Sequence, residues 1–339
     1  MPILNPFETD NAFDLVSLTE ALNIMENNYG LIRNSGLFVN KPVRTRTIMV
    51  ERKNNTLNLL QTMPVGSPGQ MNKMGTRDVR AFVIPHIPFD DVILPYEYDG
   101  LRAFGTESTF ETLAGIMNDH LETMRAKHAI TQEFQQMGAL KGIVLDADGT
   151  TIYNYFTEFL FNQKSVDFLL GTSTTEILVK CQEVARYLEE NLHGETMTGI
   201  MCLVSPTFWD KFIVQDIVKA SYDRWRDGAA LREDLREEGF RFGDIIFKEY
   251  VGKASTFGGT ERKFIADNEA IAYPIGTQNV FKNFIAPADF LETVNTLGQP
   301  LYAKQEARKY NRGIDIHTQS NQLPMCMRPD LIVKVHTSN

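Results

Sequence analysis

The sequence predicts an α+β protein in two parts, with extended appendages that cannot fold by themselves. Three observations carry this. One stretch, Glu107–Leu140, runs without a proline and repeats apolar residues at helical spacing. Beyond Leu160 the chain mixes amphipathic helices with many short strands. Before Ile93 no single piece holds enough apolar sequence to bury a core of its own.

Composition bounds the rest. The chain has 339 residues, 43% hydrophobic and 23% charged, enough for one large core or two modest ones. No run approaches the ~18 consecutive apolar residues of a membrane helix. The first basic residue is Arg33, so the start lacks the charged region of a secretory or transit signal, and an unexported product is expected. Cys181, Cys202 and Cys326 stand far apart among apolar neighbours with no CxxC, which predicts buried free thiols. His120 and His128 share a helix eight residues apart and no HExxH occurs, so no metal site is expected. Net charge is -9, unevenly spread. Lys41–Arg80 carries eight Lys and Arg against two acids, which leaves -15 on the rest of the chain. A basic segment on an acidic body suits docking on other copies of the chain. The segment has no aromatic residue to stack on bases, which disfavours nucleic acid as its partner.

In order, Met1–Asn40 holds Pro2 and Pro6, a short helical pattern over Ser17–Met25 and many asparagines, and reads as an arm. Arg46–Arg52 reads as a strand, Lys53-Asn54-Asn55 as its turn and Thr56–Gln61 as the returning strand. MPVGSPGQMNKMG follows, and Val79–Ile84 is a third extended piece. So sparse an excursion gains stability only by leaning on something else. In the long helix Ser108 and Glu111 form a capping box, the stripe runs through Leu113, Met117, Leu121, Met124, Ile130, Phe134 and Met137, and Gly142 closes it. Asp119, Glu122, Arg125, Lys127 and Glu133 occupy its other faces, which predicts a half-exposed strut along a surface. Ile143–Tyr155 reads as a hairpin with Asp148-Gly149 in a type I′ turn. Thr174–Leu192 is an amphipathic helix capped by Ser173 and Glu176 and ended before Gly194. Ile200–Val204 is a buried strand, and Ser205-Pro206 opens a helix through Trp209, Phe212 and Ile217. Strands are predicted over Asp244–Val251, Lys263–Ala266, Ala270–Pro274 and Val280–Ile285, then three more over Ile314–Val335, broken at Pro324 and Pro329.

One motif suggests chemistry. Ile143–Thr151 (IVLDADGTT) resembles the hhhhDxDGT signature of haloacid-dehalogenase-type phosphatases. There the first Asp attacks phosphorus, the second is the acid/base, and Mg²⁺ sits between them and a later acidic pair. That alternative makes Asp146 the nucleophile and Asp148 the acid/base, with Ser205, Lys219 and Gly243-Asp244 with Glu249 as the remaining motifs. The pattern departs at Glu249, where Asp is usual, and about 140 residues precede a signature that normally follows a first strand. An Asp-Gly pair in a hairpin turn needs no catalytic explanation. Phe257-Gly258-Gly259-Thr260 lacks the spacing and the GK[ST] of a P-loop and reads as a turn. No nucleophile has a His base in a motif, so no catalytic, cofactor-binding or metal residue is assigned, and function is expected to lie in surfaces.

The order of elements resembles the major capsid proteins of tailed phages, and more narrowly the lambda-type major head protein family, capsid protein E. The resemblance rests on Ala139-Leu140-Lys141-Gly142 before the hairpin, LVSPTFWDKF (Leu203–Phe212), GDIIFKEYVG (Gly243–Gly252), KFIADNEAIAYPIG (Lys263–Gly276) and MCMRPDLIVKV (Met325–Val335). It covers nearly the whole chain. It implies the Hong Kong 97-type fold, with residues 1–40 as the N-terminal arm, 41–84 as the E-loop and 85–159 as the peripheral domain with spine helix and hairpin. Residues 160–321 would be the axial domain and 322–339 strands returning to the periphery. It implies a self-assembling icosahedral shell of pentamers and hexamers around double-stranded DNA, held by weak non-specific contact. Portal, separate scaffolding and decoration proteins would be partners, with no cofactor, no enzyme activity and no membrane. The location would be the virion, assembled in host cytoplasm. No charged coiled-coil leader precedes the arm, hence the separate scaffold. Lys53 and Lys73 lie in the E-loop, but no cross-link is expected. A tail-tube or encapsulin-type shell would use the same loop-on-neighbour logic, and the long spine helix favours a phage shell.

Overall fold

The computed structural model describes residues 30–53, 77–98, 113–172, 174–227, 239–256 and 258–339. In chain order its strands are β1 (Val39–Pro42), β2 (Thr47–Lys53), β3 (Arg77–Val83), β4 (Ile87–Ile93), β5 (Ile143–Leu145), β6 (Thr151–Asn154), β7 (Lys164–Asp167), β8 (Gly199–Val204) and β9 (Phe240–Phe242). There follow β10 (Ile245–Glu249), β11 (Lys253–Ser255), β12 (Glu261–Lys263), β13 (Glu269–Ile275), β14 (Phe281–Ile285), β15 (Tyr302–Ala307), β16 (Ile314–Ser320), β17 (Gln322–Cys326) and β18 (Val333–His336). The largest sheet has the order β7-β18-β13-β8-β10-β9. Three-stranded sheets β1-β14-β17 and β15-β16-β4, and the two-stranded pairs β2-β3, β5-β6 and β11-β12, make up the rest.

The six-stranded sheet is built from near-continuous apolar runs. Cys202, Leu203, Val204, Ala270, Ala272 and Val333 are fully buried at its centre, as strands covered on both faces require. The helix Ile177–Asn191 lays its predicted stripe, Ile177, Cys181, Val184 and Leu188, into this core. It begins later than predicted, with Glu176 as cap residue making no side-chain bond, and Ser173 lies outside the described residues. The three cysteines are buried and free, and burial pushes the Cys181 thiol up to about 12. Ser205 caps the next helix by accepting from the Phe208 N–H at 3.4 Å, with Pro206 at its first position. That helix ends at Val214, short of Ile217, because Gln215 turns extended (ψ 129°). The Gln215 side-chain amide donates to the Leu170 carbonyl, and its own carbonyl starts a second helix, Asp216–Asp227, by accepting from Lys219.

The spine helix runs Leu113–Lys141, 29 residues or about 43 Å. Ser108 and Glu111 lie outside the described residues. Gly142 ends it at φ +80°, where a methyl group would lie 2.4 Å from the Phe156 ring. Gly138 serves a close approach, since a methyl group there would meet the Ile143 carbonyl at 2.9 Å as β5 folds back on the helix. The strut prediction holds for the first half only. Met117, Leu121 and Met124 pack on Ile93, Leu301, Ala303, Ile314 and Ile316, with Asp119 and Glu122 exposed. Arg125 is buried, and so are Gln132, Glu133, Gln135 and Gln136; the end of β16 and the start of β17, residues 318–322, form a polar buried run that bonds His128 of the helix, and Glu133 is bonded from Ile32, Arg33 and Tyr250.

Several pairings differ from expectation. β2 pairs antiparallel with β3, Thr47↔Val83 to Lys53↔Arg77. The expected return strand Thr56–Gln61 falls in residues 54–76, outside the described ones, as does the Ser17–Met25 pattern. The β5–β6 turn is a three-residue loop: Gly149 N–H donates to Asp146 O at 2.9 Å, Asp146 N–H to Thr150 O at 2.8 Å, and Gly149 has φ +91°. Asp148 stays out of the positive-φ region that a type I′ turn demands. Pro324 does not break a strand; it sits inside β17, which is an edge strand and can spare a donor. β4, β7 and β15 were not foreseen. β16 pairs with β4 and β15 with β16, so residues 302–320 join the sheet of 87–93, while β18 enters the six-stranded sheet between β7 and β13 instead of returning towards residues 85–159. Apolar alternation explains both, because Val333 and Val335 are buried in the larger core.

Candidate functional site

Among the described residues, uncovered apolar side chains gather on the β2–β3 ribbon and on the loop at its base. Period-two alternation sorts the ribbon into two faces. Ile48, Val50 and Phe82 face the body and are buried, with the Phe82 ring 5.3 Å from Tyr153 and 5.7 Å from Phe159. Tyr153 also holds the β3 backbone: its hydroxyl accepts from the Val83 N–H at 2.8 Å and donates to the Val83 carbonyl at 3.0 Å. The opposite face presents Thr47, Met49, Val79, Ala81 and Val83 to solvent, Met49 at 78% exposure. Covering such side chains is worth on the order of 1 kcal/mol each. A two-stranded ribbon also leaves outer edges that can template a further strand.

The ribbon's base is fixed to the body. Arg46 pairs with Asp289 at 3.1 Å, and the Gly298 N–H donates to the Val43 carbonyl at 3.1 Å. Between those points lie Leu291 (92% exposed), Val294 and Leu297, a second uncovered apolar patch. β1 adds parallel to β14, Val39↔Lys282 to Pro42↔Ile285. The short helix Leu31–Asn34 before it is held by Glu133 of the spine helix, whose carboxylate accepts from Ile32 N–H (2.9 Å), Arg33 N–H (3.2 Å) and Tyr250 O–H (3.0 Å). Sequence reasoning placed Glu133 on a solvent face. The available signal was the Gln-rich company it keeps, Gln132, Gln135 and Gln136, all buried, with Gln132 and Gln136 lining one cavity with Asn283 and Gln322.

The phosphatase residues do not converge. Asp148 Oδ1 accepts from Thr150 N–H (2.8 Å) and Thr150 O–H (2.7 Å), bonds that hold its carboxyl below the usual range. Asp146 Oδ1 accepts from Ala147 N–H at 2.7 Å, and Arg262 donates to the carbonyls of Ala147 and Asp148. Both aspartates shape a turn. Ser205 follows the last residue of β8, whereas Asp244 precedes Ile245, which is level with Ile200 in the parallel pair, so the two lie about 20 Å apart along the strands. Lys219 is exposed on the helix Asp216–Asp227, and Glu249 is exposed at the end of β10. Among the described residues no group of three or more His, Cys, Asp or Glu is placed to hold a metal ion, and no helix is long and apolar enough to cross a membrane.

A family model described as "Phage major capsid protein E" matches residues 14–337. The chain belongs to that family. The major capsid protein of Pseudomonas phage KPP10 is 31% identical to it, over 96% of this chain and 97% of that protein. That of Salmonella phage Felix O1 is 28% identical, over 95% and 96%. Among solved structures, a putative capsid protein of a prophage in E. coli CFT073 aligns with TM-score 0.61 at 13% identity, over 96% of this chain and 99% of that one. The fold is the Hong Kong 97-type capsid fold, and the role is that of a major capsid protein of a tailed phage, a component of the virion. Nothing in the family, in these relatives or in the geometry supports the phosphatase alternative.

Proposed function

We propose that copies of this capsid E family member assemble, as pentamers and hexamers, into the icosahedral shell that encloses the double-stranded DNA of a tailed bacteriophage. The observation that carries this is the β2–β3 ribbon, packed on one face and apolar and uncovered on the other. Such an element gains its remaining stability only on another copy, which couples folding to assembly. The basic charge of residues 41–80 against an acidic remainder favours the same docking. Residues 1–40 act as the arm and 41–84 as the E-loop. The spine helix with the β4-β15-β16 sheet forms the peripheral part, and the six-stranded sheet with its helices forms the axial part. The acidic body keeps contact with packaged DNA weak and non-specific. Assembly takes place in host cytoplasm with a portal, a separate scaffolding protein and a decoration protein, and the chain has no catalytic task.

Negative-stain electron microscopy of the purified chain, alone and with candidate scaffold, tests this: closed shells or rings of five or six subunits are expected. Deleting Asn54–Met74 should leave a folded monomer that forms no shells. Closed shells at normal yield from that deletion would refute the E-loop assignment.

A further inference from the structure

Between the spine helix and Pro300-Leu301 lies a cleft of about 160 Å³ lined by Arg33, Arg125, His128 and Gln132. Arg125 is only 9% exposed, and its Nη1 is buried with no hydrogen-bond partner among the described residues. An unmatched buried donor of this kind costs on the order of 1–3 kcal/mol. Burial lowers the Arg125 guanidinium from its ordinary value, the charge of Arg33 beside it lowers it further, and Glu122, three residues before it on the helix, offsets part of this. Two acids are near the pair. Glu133 already spends its oxygens on Ile32 N–H, Arg33 N–H and Tyr250, and Glu122 is exposed and acts on Arg125 by its charge, with Nη1 still unbonded. The cleft therefore holds two neighbouring cations, and Arg125 Nη1 has no carboxylate hydrogen-bonded to it.

The chain itself carries a matching segment. Residues 1–29 hold Glu8, Asp10, Asp14, Glu20 and Glu26 and no Lys, Arg or His. They join the described fold at Gly30, which touches the spine helix so closely that a methyl group there would lie 2.5 Å from Glu133 Oε2. Arg33 follows three residues later. Glu26 precedes Gly30 by four residues, a reach of at most about 14 Å.

We propose that this cleft binds the acidic segment of residues 1–29 of the same chain, with the Glu26 carboxylate seated on Arg125 and Arg33. A small inorganic anion would use the same two guanidinium groups, and the test separates the two. The inference does not rest on shell formation: its assay reads a protease on the soluble full chain, whereas shells are read by microscopy, so either can fail alone.

Glutamyl endopeptidase cuts after Glu8, Glu20 and Glu26, and mass spectrometry gives the rate at each in about 50 mM salt, where charge pairing is weakly screened. Cleavage after Glu26 is expected to rise at least about 10-fold in Arg33→Gln and in Arg125→Met, and in the unaltered chain at about 1 M salt. Arg33 is exposed, so Arg33→Gln keeps the fold; an unchanged rate in it overturns the proposal whether or not Arg125→Met folds. Inorganic phosphate should raise the melting temperature of a chain whose five arm acids are changed to amides more than that of the unaltered chain. Equal shifts in the two mean a small-anion site and overturn the proposal as well.

Discussion

His128 gives this capsid fold a defined acid weakness. Its ring is 3% exposed, with Nδ1 2.9 Å from Ser320 Oγ and Nε2 3.0 Å from Thr318 Oγ1. The Thr318 hydroxyl donates to the Phe89 carbonyl at 3.1 Å, so it must accept from Nε2–H, which leaves Nδ1 as acceptor for Ser320. A second proton on the ring would have to be taken by Ser320 Oγ with its own hydrogen turned away, and would leave a charge in a buried site. Burial, with a smaller contribution from the His317 charge, lowers the His128 pKa to about 4 from 6.5. A folded pKa below the unfolded one means that the unfolded chain binds more protons between pH 6.5 and 4, so stability falls as pH drops through that window. At about 1.36 kcal/mol per unit the whole loss is about 3 kcal/mol, of which about 2 kcal/mol is gone by pH 5, above most carboxylate titration. His128→Gln keeps a donor near Thr318 and removes the titration. Urea unfolding of both chains at pH 7 and pH 5 should show the unaltered chain losing about 2 kcal/mol more than the variant. Equal losses, within about 0.5 kcal/mol, would refute the assignment of a neutral buried imidazole.

Three further outcomes follow from single sites. Glu133→Ala strips a charged acceptor from two backbone N–H groups and the Tyr250 hydroxyl, so urea unfolding should show a loss of about 3–5 kcal/mol, with Glu133→Gln losing roughly half as much. Gly142→Ala and Gly194→Ala both place a side chain at positive φ, but only at Gly142 does the methyl meet a ring; expected losses are about 2–3 and about 1 kcal/mol, and equal melting points would sink the packing argument. Asp146→Asn should assemble at normal yield, since its Oδ1 only bonds the neighbouring Ala147 N–H, and a phosphate-release assay with Mg²⁺ should not distinguish it from the unaltered chain.

The helices were legible where one apolar stripe faces one core. The spacing of Ile177, Cys181, Val184 and Leu188, the Ser205-Pro206 start and the Gly142 stop all acted as local physics requires. The second half of the spine helix was not legible. Burial of Glu133 depends on the backbone of Ile32 and Arg33 and on the Tyr250 hydroxyl, each 100 or more residues away, and that of His128 on Ser320 and Thr318 some 190 residues away, which no local period can report. Strand partners failed for the same reason: β4 with β16, and β18 with β7 and β13, are long-range choices settled by which face finds a core. Of the proposed assembly surface, the weakness of the 41–84 segment and the basic charge of residues 41–80 could be read directly. The division of the ribbon into a buried Ile48–Phe82 face and an open Met49–Val83 face follows once β3 is recognised as its partner.

The polar seam then acquires a role in assembly. Asn283 Nδ2 donates to Asn40 Oδ1 at 3.0 Å and to Gln322 Oε1 at 2.8 Å, Gln322 donates to the Pro300 carbonyl, and His128 bonds Ser320 and Thr318. An apolar seam would tolerate sliding, whereas a small shift of the helix against β16 breaks the His128 bonds and a shift of β1 or β17 along β14 breaks those of Asn283. The same seam receives β1 through Asn40 and the preceding helix through Glu133, so the direction in which the chain enters the fold is set by groups with one satisfactory register. The ribbon begins only five residues after β1 ends, at Thr47, and its base is tied by Arg46 to Asp289. A fault in the seam would therefore be carried to the base of the exposed apolar face, and under the proposed assembly a subunit covers that face on a neighbour only if it is aimed.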